Sequence, residues 1–260
     1  MVLAAQKMEG FIVMKTLGII PARYGSTRFE GKPLADICGS PMIEWVYKSA
    51  EKAGFDELVV ATDDLRIYDC VIGFGGKCEM TGNHETGSDR IAEVAMRHPE
   101  YDIIINIQGD EPLIEAEVLK KLAGAFNDKS VVMATMKHLI ENVEDIDNPN
   151  VVKVITDMNN DAIYFSRSKI PYERNKSNVG FFRHIGIYGY KREFLLNYNK
   201  LKNSEIEKSE SLEQLRAIEN GYKIRVLETK QSAKGVDTLQ DLEEICRFII
   251  EKDIKIKGVD

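Results

Sequence analysis

A chain of 260 residues with 43% hydrophobic, 30% charged and 8% aromatic side chains is long enough to bury a full core without staples. This balance excludes disorder and collagen, and no long uncharged apolar run offers a membrane span. With 35 Lys and Arg against 42 Asp and Glu, the formal charge of −7 argues against a general binder of nucleic acid or anionic membrane, so any phosphate must meet a local cluster of cations.

Residues 1–13 are broken by Lys7 and Glu9 and lack an apolar run followed by a small-residue cleavage site. They are expected to be an extension and not a signal peptide, with Met14 as an alternative start. Leu17–Ile20 predicts a strand that stops at Pro21. Ile43, Val46, Tyr47, Ala50 and Ala53 recur at helical spacing and end at Gly54. Leu58–Ala61 predicts the next strand, and Thr62, Asp63 and Asp64 open another helix. A further helix surrounds Val94. Ile103–Ile107 is apolar at nearly every position, as a central strand covered on both faces requires. A helix over Glu115–Phe126 and a strand over Val131–Thr135 follow. This alternation predicts an α/β fold: a mostly parallel, Rossmann-like central sheet with helices on both faces.

After Pro149 the pattern changes. Val151–Thr156, Ala162–Ser166 and His184–Tyr190 read as longer, more exposed strands, a β-rich part expected to cover the substrate. A helix near Ser209–Asn220, a strand over Lys223–Glu228 and a helix over Leu239–Ile250 close the chain. Residues 14–260 are expected to form a single domain. Cys38, Cys70, Cys78 and Cys246 form no CxxC pair and no His pair has zinc spacing, so buried free thiols in a reducing cytoplasm are expected.

Pro21-Ala22-Arg23-Tyr24-Gly25-Ser26-Thr27-Arg28-Phe29-Glu30-Gly31-Lys32-Pro33 follows the first strand directly. Glycines let backbone N–H groups approach phosphate oxygens, and Arg23, Arg28 and Lys32 neutralise them. It is not a Walker loop, because Gly25 and Gly31 enclose five residues and Pro33 follows the lysine. Gly73–Gly76 follows a helix and reads as a turn. Asn106-Ile107-Gln108-Gly109-Asp110-Glu111-Pro112 ends the most buried strand, on the edge where α/β sheets bind ligands. Asp110 there is either a Mg²⁺ ligand or a cap for the next helix. Thr238 and Asp241 have capping-box spacing, which leaves Asp237 as a second carboxylate for metal. Two distant carboxylates with three cations suggest metal-assisted phosphoryl or nucleotidyl transfer. Alternation along His184–Tyr190 puts His184, Tyr188 and Tyr190 on one polar-aromatic face suited to a sugar. Glu210, Glu213 and Gln214 lie off the stripe of Leu212, Leu215 and Ile218, and solvent is the default reading for them.

The stretches IIPARYGSTRFEGKPL, VATDD, NIQGDEP, DNPNVVKV, YFSRSKIPYER, RHIGIYGY, SLEQLRAIE and GVDTLQDLE resemble the CMP-Kdo synthetases, the 3-deoxy-manno-octulosonate cytidylyltransferases, in family order over Leu17–Ile245. The resemblance implies a nucleotidyltransferase fold whose β-rich part also dimerises, a homodimer, Mg²⁺ as cofactor, and CTP and an acidic 2-keto sugar as substrates. It assigns Lys32, Arg23, Asp110 and Asp237 to catalysis, the two carboxylates as metal ligands. Pro21, Ala22, Arg23, Ser26, Arg28, Lys32, Thr81, Ser88 and Gln108 would bind nucleotide. Gln108, Arg167, His184, Tyr188, Glu213 and Gln214 would line the sugar pocket. The run Met80–His84 is shorter than in the family and has Gly82 where a cation is often found. The loop over 173–180 is also compact. The 8-amino-8-deoxy analogue of Kdo therefore stays open as substrate, as do a sialic acid and, outside enzymes, an inactive nucleotide-sensing scaffold.

Overall fold

The computed structural model describes residues 14–25, 29–175, 179–231 and 235–256. The expected extension before Met14, and Ser26 and Arg28 of the glycine-bearing loop, lie outside these. In chain order, β1 (Thr16–Ala22) leads through a short 3-10 turn at Lys32–Leu34 to the hairpin β2 (Asp36–Ile37) and β3 (Ser40–Pro41) and to α1 (Met42–Glu51). Then come β4 (Glu57–Thr62), α2 (Leu65–Gly73), β5 (Cys78–Met80), α3 (Gly87–Arg97), β6 (Ile103–Asn106) and α4 (Ala116–Gly124). The second half holds β7 (Met133–Leu139), α5 (Glu144–Asp147), β8 (Lys153–Thr156), β9 (Ala162–Ser166) and β10 (Phe182–Lys191). It ends with α6 (Arg192–Tyr198), α7 (Glu205–Glu210), α8 (Leu215–Glu219), β11 (Ile224–Thr229) and α9 (Leu239–Glu251).

Among the described residues one nine-stranded sheet runs through both halves, in the order β11-β7-β10-β6-β1-β4-β5, with β8 paired to β10 and β9 to β8. β6, β1, β4 and β5 pair in parallel, as does β11 with β7. β10 runs antiparallel between β6 and β7, so the sheet is mixed where the late strands join it. Apolar side chains of β1 and β6 alternate between two cores. Ile20, Ile103 and Ile105 pack with α1, α2 and α4, while Leu17, Ile19 and Ile104 pack with α3, α6 and α8. Burial on both faces is what made Ile103–Ile107 apolar at every position but Asn106.

The chain leaves β1 for β4 on one side and returns with β6 on the other, which makes the β1–β6 boundary the topological switch point. Loops at the carboxyl ends of these two strands diverge there and leave a crevice. Gly109 keeps it tight, because a Cβ at that position would lie 3.0 Å from the Pro21 carbonyl oxygen.

Two expectations change. The helix near Ser209–Asn220 is broken into α7 and α8, because Ser211 adopts a left-handed conformation with φ of 51° and ends the first segment. The cysteines are free, as expected, but none is fully buried, and Cys38 is exposed at the β2–β3 turn. Gly73–Gly76 is a turn, with Gly75 at φ of 81°.

Candidate active site

Three chain-distant loops bring charge together at the switch point. Lys32 Nζ donates to Asp110 Oδ2 at 2.7 Å and to Asp237 Oδ1 at 3.1 Å. Each member is placed by backbone. Gly31, at φ of 69°, turns the loop so that Lys32 opens the 3-10 turn, and its N–H bonds the Tyr24 carbonyl at 2.9 Å. Asp110 follows the tight passage at Gly109. Val236 N–H bonds the Asp110 carbonyl at 2.9 Å, which sets Asp237 beside Asp110. The capping reading of Asp110 fails, since the α4 cap is Glu115, whose own N–H is taken by Gln231 at 3.0 Å. Thr238 and Asp241 form the expected capping box, and Asp241 also accepts from the Asp237 N–H.

A cleft of about 320 Å³ opens here, lined by Pro21, Ala22, Arg23, Lys32, Gln108, Gly109, Asp110 and Asp237 on one side. His84, Glu85, Thr86, Gly87 and Arg90 form the other side. His84 and Glu85 escaped the sequence reading; their signal was their place directly before Thr86, the cap of α3. Arg90 is buried and holds the cleft's wall, with Nη2 3.1 Å from Asp63 Oδ2 and Nη1 donating to Thr81 Oγ1 at 2.6 Å. Thr81 is thus engaged by protein and does not line the cleft. Ser88, expected on the nucleotide, faces Glu213 and Tyr190 on the other core.

Glu111 is the group the sequence reading passed over. Burial and the neighbouring Asp110 charge push its carboxyl up to about 8, and its Oε2 is buried without a partner. At neutral pH it adds little negative charge to the site.

The sugar-side candidates gather along β10. Phe165, His184, Tyr188 and Tyr190 form a ladder with ring centroids 4.9, 5.4 and 5.9 Å apart. Pairing with β7 slips between Ile185 and Tyr188, a bulge whose carbonyls need other donors. Gln108 Nε2 supplies one to Gly186 at 2.8 Å, tying the bulge to the cleft. Burial pushes the His184 ring down to about 3 and raises the Glu213 carboxyl and the Tyr188 hydroxyl.

Because α7 and α8 are separate, Gln214 is buried and not solvated, and its Nε2 has no partner. Asn106 Oδ1, on the strand residue opposite Tyr188, is likewise buried and unpaired. Such atoms await a polar ligand or water. Glu210 accepts from Ser166 Oγ at 2.6 Å and Arg167 N–H at 2.9 Å. Arg167 in turn donates to the Glu210 and Pro149 carbonyls at 2.7 and 3.0 Å. The buried Lys153 caps the same segment through the Arg167 carbonyl at 2.6 Å.

Two carboxylate oxygens meeting one cation offer hard donors of the kind Mg²⁺ takes when phosphates and water complete its shell. Among the described residues no cluster of three or more His, Cys, Asp or Glu side chains could hold a metal by itself. The two oxygens of Asp110 and Asp237 would fit an ion whose shell is completed by other oxygen ligands. No helix among the described residues is long and apolar enough to cross a membrane.

Comparison with known proteins shows the family. Residues 17–224 match the family described as Cytidylyltransferase. A 3-deoxy-manno-octulosonate cytidylyltransferase of Fusobacterium nucleatum is 59% identical over 245 residues, 94% of this chain and 100% of the relative. One of Geotalea uraniireducens is 50% identical over 249 residues, 89% of this chain and 98% of the relative. The solved structure of a CMP:2-keto-3-deoxy-manno-octonic acid synthetase complexed with CTP superposes with a TM-score of 0.88 at 45% identity, covering 92% of this chain and 99% of that one. A 4-diphosphocytidyl-2C-methyl-D-erythritol synthase from Anaerococcus prevotii shares the fold, at 14% identity and a TM-score of 0.62. The chain belongs to the 3-deoxy-manno-octulosonate cytidylyltransferase, or CMP-Kdo synthetase, family of nucleotidyltransferase enzymes.

Proposed function

We propose that this cleft activates Kdo for lipopolysaccharide assembly: CTP and Kdo give CMP-Kdo and diphosphate. The observation that carries the reading is the bridge from Lys32 to both Asp110 and Asp237 at the switch point, within one cleft with Arg23. The anomeric hydroxyl of the sugar attacks the α-phosphorus. An oxygen–phosphorus bond forms while the bond to the bridging oxygen breaks, the hydroxyl proton passes to solvent, and diphosphate leaves with the added charge. Arg23 and Lys32 neutralise that charge, and a preorganised cation of this kind acts most strongly as charge develops on the leaving group. Mg²⁺ held by Asp110 and Asp237 would supply Lewis-acid polarisation of the phosphate and lower the pKa of the attacking hydroxyl.

By the family resemblance Ser26 and Arg28 would bind the triphosphate. Pro21 and Ala22 give it backbone, and Gln108 stands between nucleotide and sugar. On the sugar side His184, Tyr188, Glu213 and Gln214 supply a polar-aromatic wall, and the unpaired Gln214 Nε2 supports a polar occupant. Arg167 acts by ordering the segment that borders this wall. Ser88 is assigned to Glu213 here, and Thr81 supports the cleft through Arg90. A cytoplasmic homodimer fits the reading. Its support is the set of exposed apolar side chains in the β-rich part, among them Ile163 and Tyr172.

Diphosphate release with CTP, Mg²⁺ and a panel of Kdo, its 8-amino-8-deoxy analogue and sialic acid tests the assignment. Kdo is expected to give the highest kcat/KM. Faster turnover of either other sugar would replace Kdo as the substrate, and no turnover with any would return the protein to a sensing role.

A further inference from the structure

We propose that Thr135 is a positioning residue that locks His184 in a single tautomer, so that His184 offers the sugar a hydrogen-bond acceptor and no donor. The inference rests on the reading that His184 lines the sugar pocket. Thr135 lies on β7, fully buried, opposite the slip in β10 pairing. Its Oγ1 is 2.7 Å from the Ile187 carbonyl oxygen, 3.1 Å from the Ile185 carbonyl oxygen and 2.9 Å from His184 Nε2.

A hydroxyl has one proton to give, and a carbonyl oxygen can only accept. Two oxygens at 2.7 Å with no proton between them repel, so the Thr135 proton lies toward Ile187. Toward its remaining neighbour the hydroxyl must then accept, and His184 Nε2 must carry the ring proton. If Thr135 donated to His184 instead, both bulge carbonyls would face bare lone pairs. Burial, with the Arg183 charge nearby, keeps the ring neutral, so the second nitrogen has no proton. Nδ1 is therefore a lone pair. Around the ring stand Phe165, nearly perpendicular to it, and the tilted ring of Tyr188, neither of which uses it.

The chemistry of the recognised group follows. A sugar hydroxyl can donate to Nδ1, whereas a carboxylate would meet it lone pair to lone pair. His184 thus reads a hydroxyl, and the acid group of the sugar must be met by other residues. The bulge makes this device possible, because it turns the Ile185 and Ile187 carbonyls out of the ladder and onto one hydroxyl.

The test is nitrogen NMR of the full-length, ligand-free protein carrying ¹⁵N-labelled histidine, with the His184 signals assigned through His184→Gln. At neutral pH the expected pattern is a protonated Nε2 and an unprotonated Nδ1. A ring protonated at Nδ1, or at both nitrogens, overturns the proposal. Thr135→Val should lose this single-tautomer pattern, with kcat/KM for Kdo down about tenfold and KM for CTP unchanged, on the scale of one hydrogen bond. Thr135→Ser should keep both properties. A Thr135→Val protein that matches wild type in spectrum and kinetics overturns the lock. Adding Kdo with a non-hydrolysable CTP analogue separates the underlying reading: Nδ1 should shift. An unmoved Nδ1 beside the expected tautomer overturns the recognition role and removes His184 from the sugar pocket.

Discussion

At the ends of β1 and β6, Lys32, Asp110 and Asp237 meet as formal charges within reach of solvent, with the carboxylates 30% and 47% exposed. Along β10, His184 and Tyr188 stand in surroundings that hold them uncharged, and burial raises the nearby Glu213 carboxyl. Phosphate chemistry needs the first kind of place, where cations and a hard metal can exchange partners as a triphosphate arrives. Recognition of a sugar's hydroxyls needs the second, where a neutral group keeps one donor or acceptor role. Gln108 joins the two, since it lines the cleft while donating to the bulge at Gly186. One sheet edge carries both ends, and the difference between them comes from how far each is sunk into the core.

If the charged end acts on the transition state, Lys32→Ala should give the largest loss. The expected cost is about 3–4 kcal/mol in kcat, with a smaller rise in KM for CTP. Steady-state kinetics at saturating sugar decide this, and a change confined to KM would make Lys32 a uniform binding residue. The geometry of the edge can be loosened without touching charge. Gly109→Ala puts a Cβ 3.0 Å from the Pro21 carbonyl oxygen, so the β1 and β6 loops must part. Overpacking of this kind costs about 1–3 kcal/mol of stability, and kcat/KM should fall about tenfold as Asp110 moves from Lys32. Wild-type urea midpoint and kinetics in this variant would show that the close approach does not set the site.

The buried end should reveal itself through pH. His184 has its folded pKa lowered to about 3, against roughly 6.5 in the unfolded chain. The unfolded state therefore binds more protons between these values, and the contribution of His184 to stability is full above about pH 6.5 and lost as pH falls toward 3. Urea midpoints measured across that window should fall less steeply for His184→Gln than for wild type. Equal slopes would mean that the ring is not held neutral by burial.

The charged end was legible in the sequence because its signals are local. A strand, a proline and a glycine–cation loop stand together at Pro21–Lys32, and Asp110 directly follows Gly109 at the end of a buried strand. Asp237 could be singled out because Thr238 and Asp241 already satisfy the helix start. The buried end depends on pairs far apart in the chain. The period of two placed His184 and Tyr188 on one face correctly, but it carries no sign of the slip between Ile185 and Tyr188 or of Thr135 beneath it. Helical spacing over Ser209–Asn220 could not foresee the left-handed Ser211, which breaks the helix and turns Gln214 inward. The antiparallel insertion of β10 between β6 and β7 was hidden for the same reason, since strand direction is set by tertiary pairing.

Asp110 and Asp237 are expected to work as one unit with a divalent ion and the triphosphate, and a double-mutant cycle on kcat measures that coupling. Neither carboxylate caps a helix, and Asn keeps the size and hydrogen bonding of Asp, so Asp110→Asn and Asp237→Asn should fold normally. Each single variant should lose most of its turnover at limiting Mg²⁺, and the double variant should be within about threefold of the weaker single one. Losses that multiply in the double variant, or near-wild-type turnover in both single variants, would contradict a shared metal-binding role for the two carboxylates.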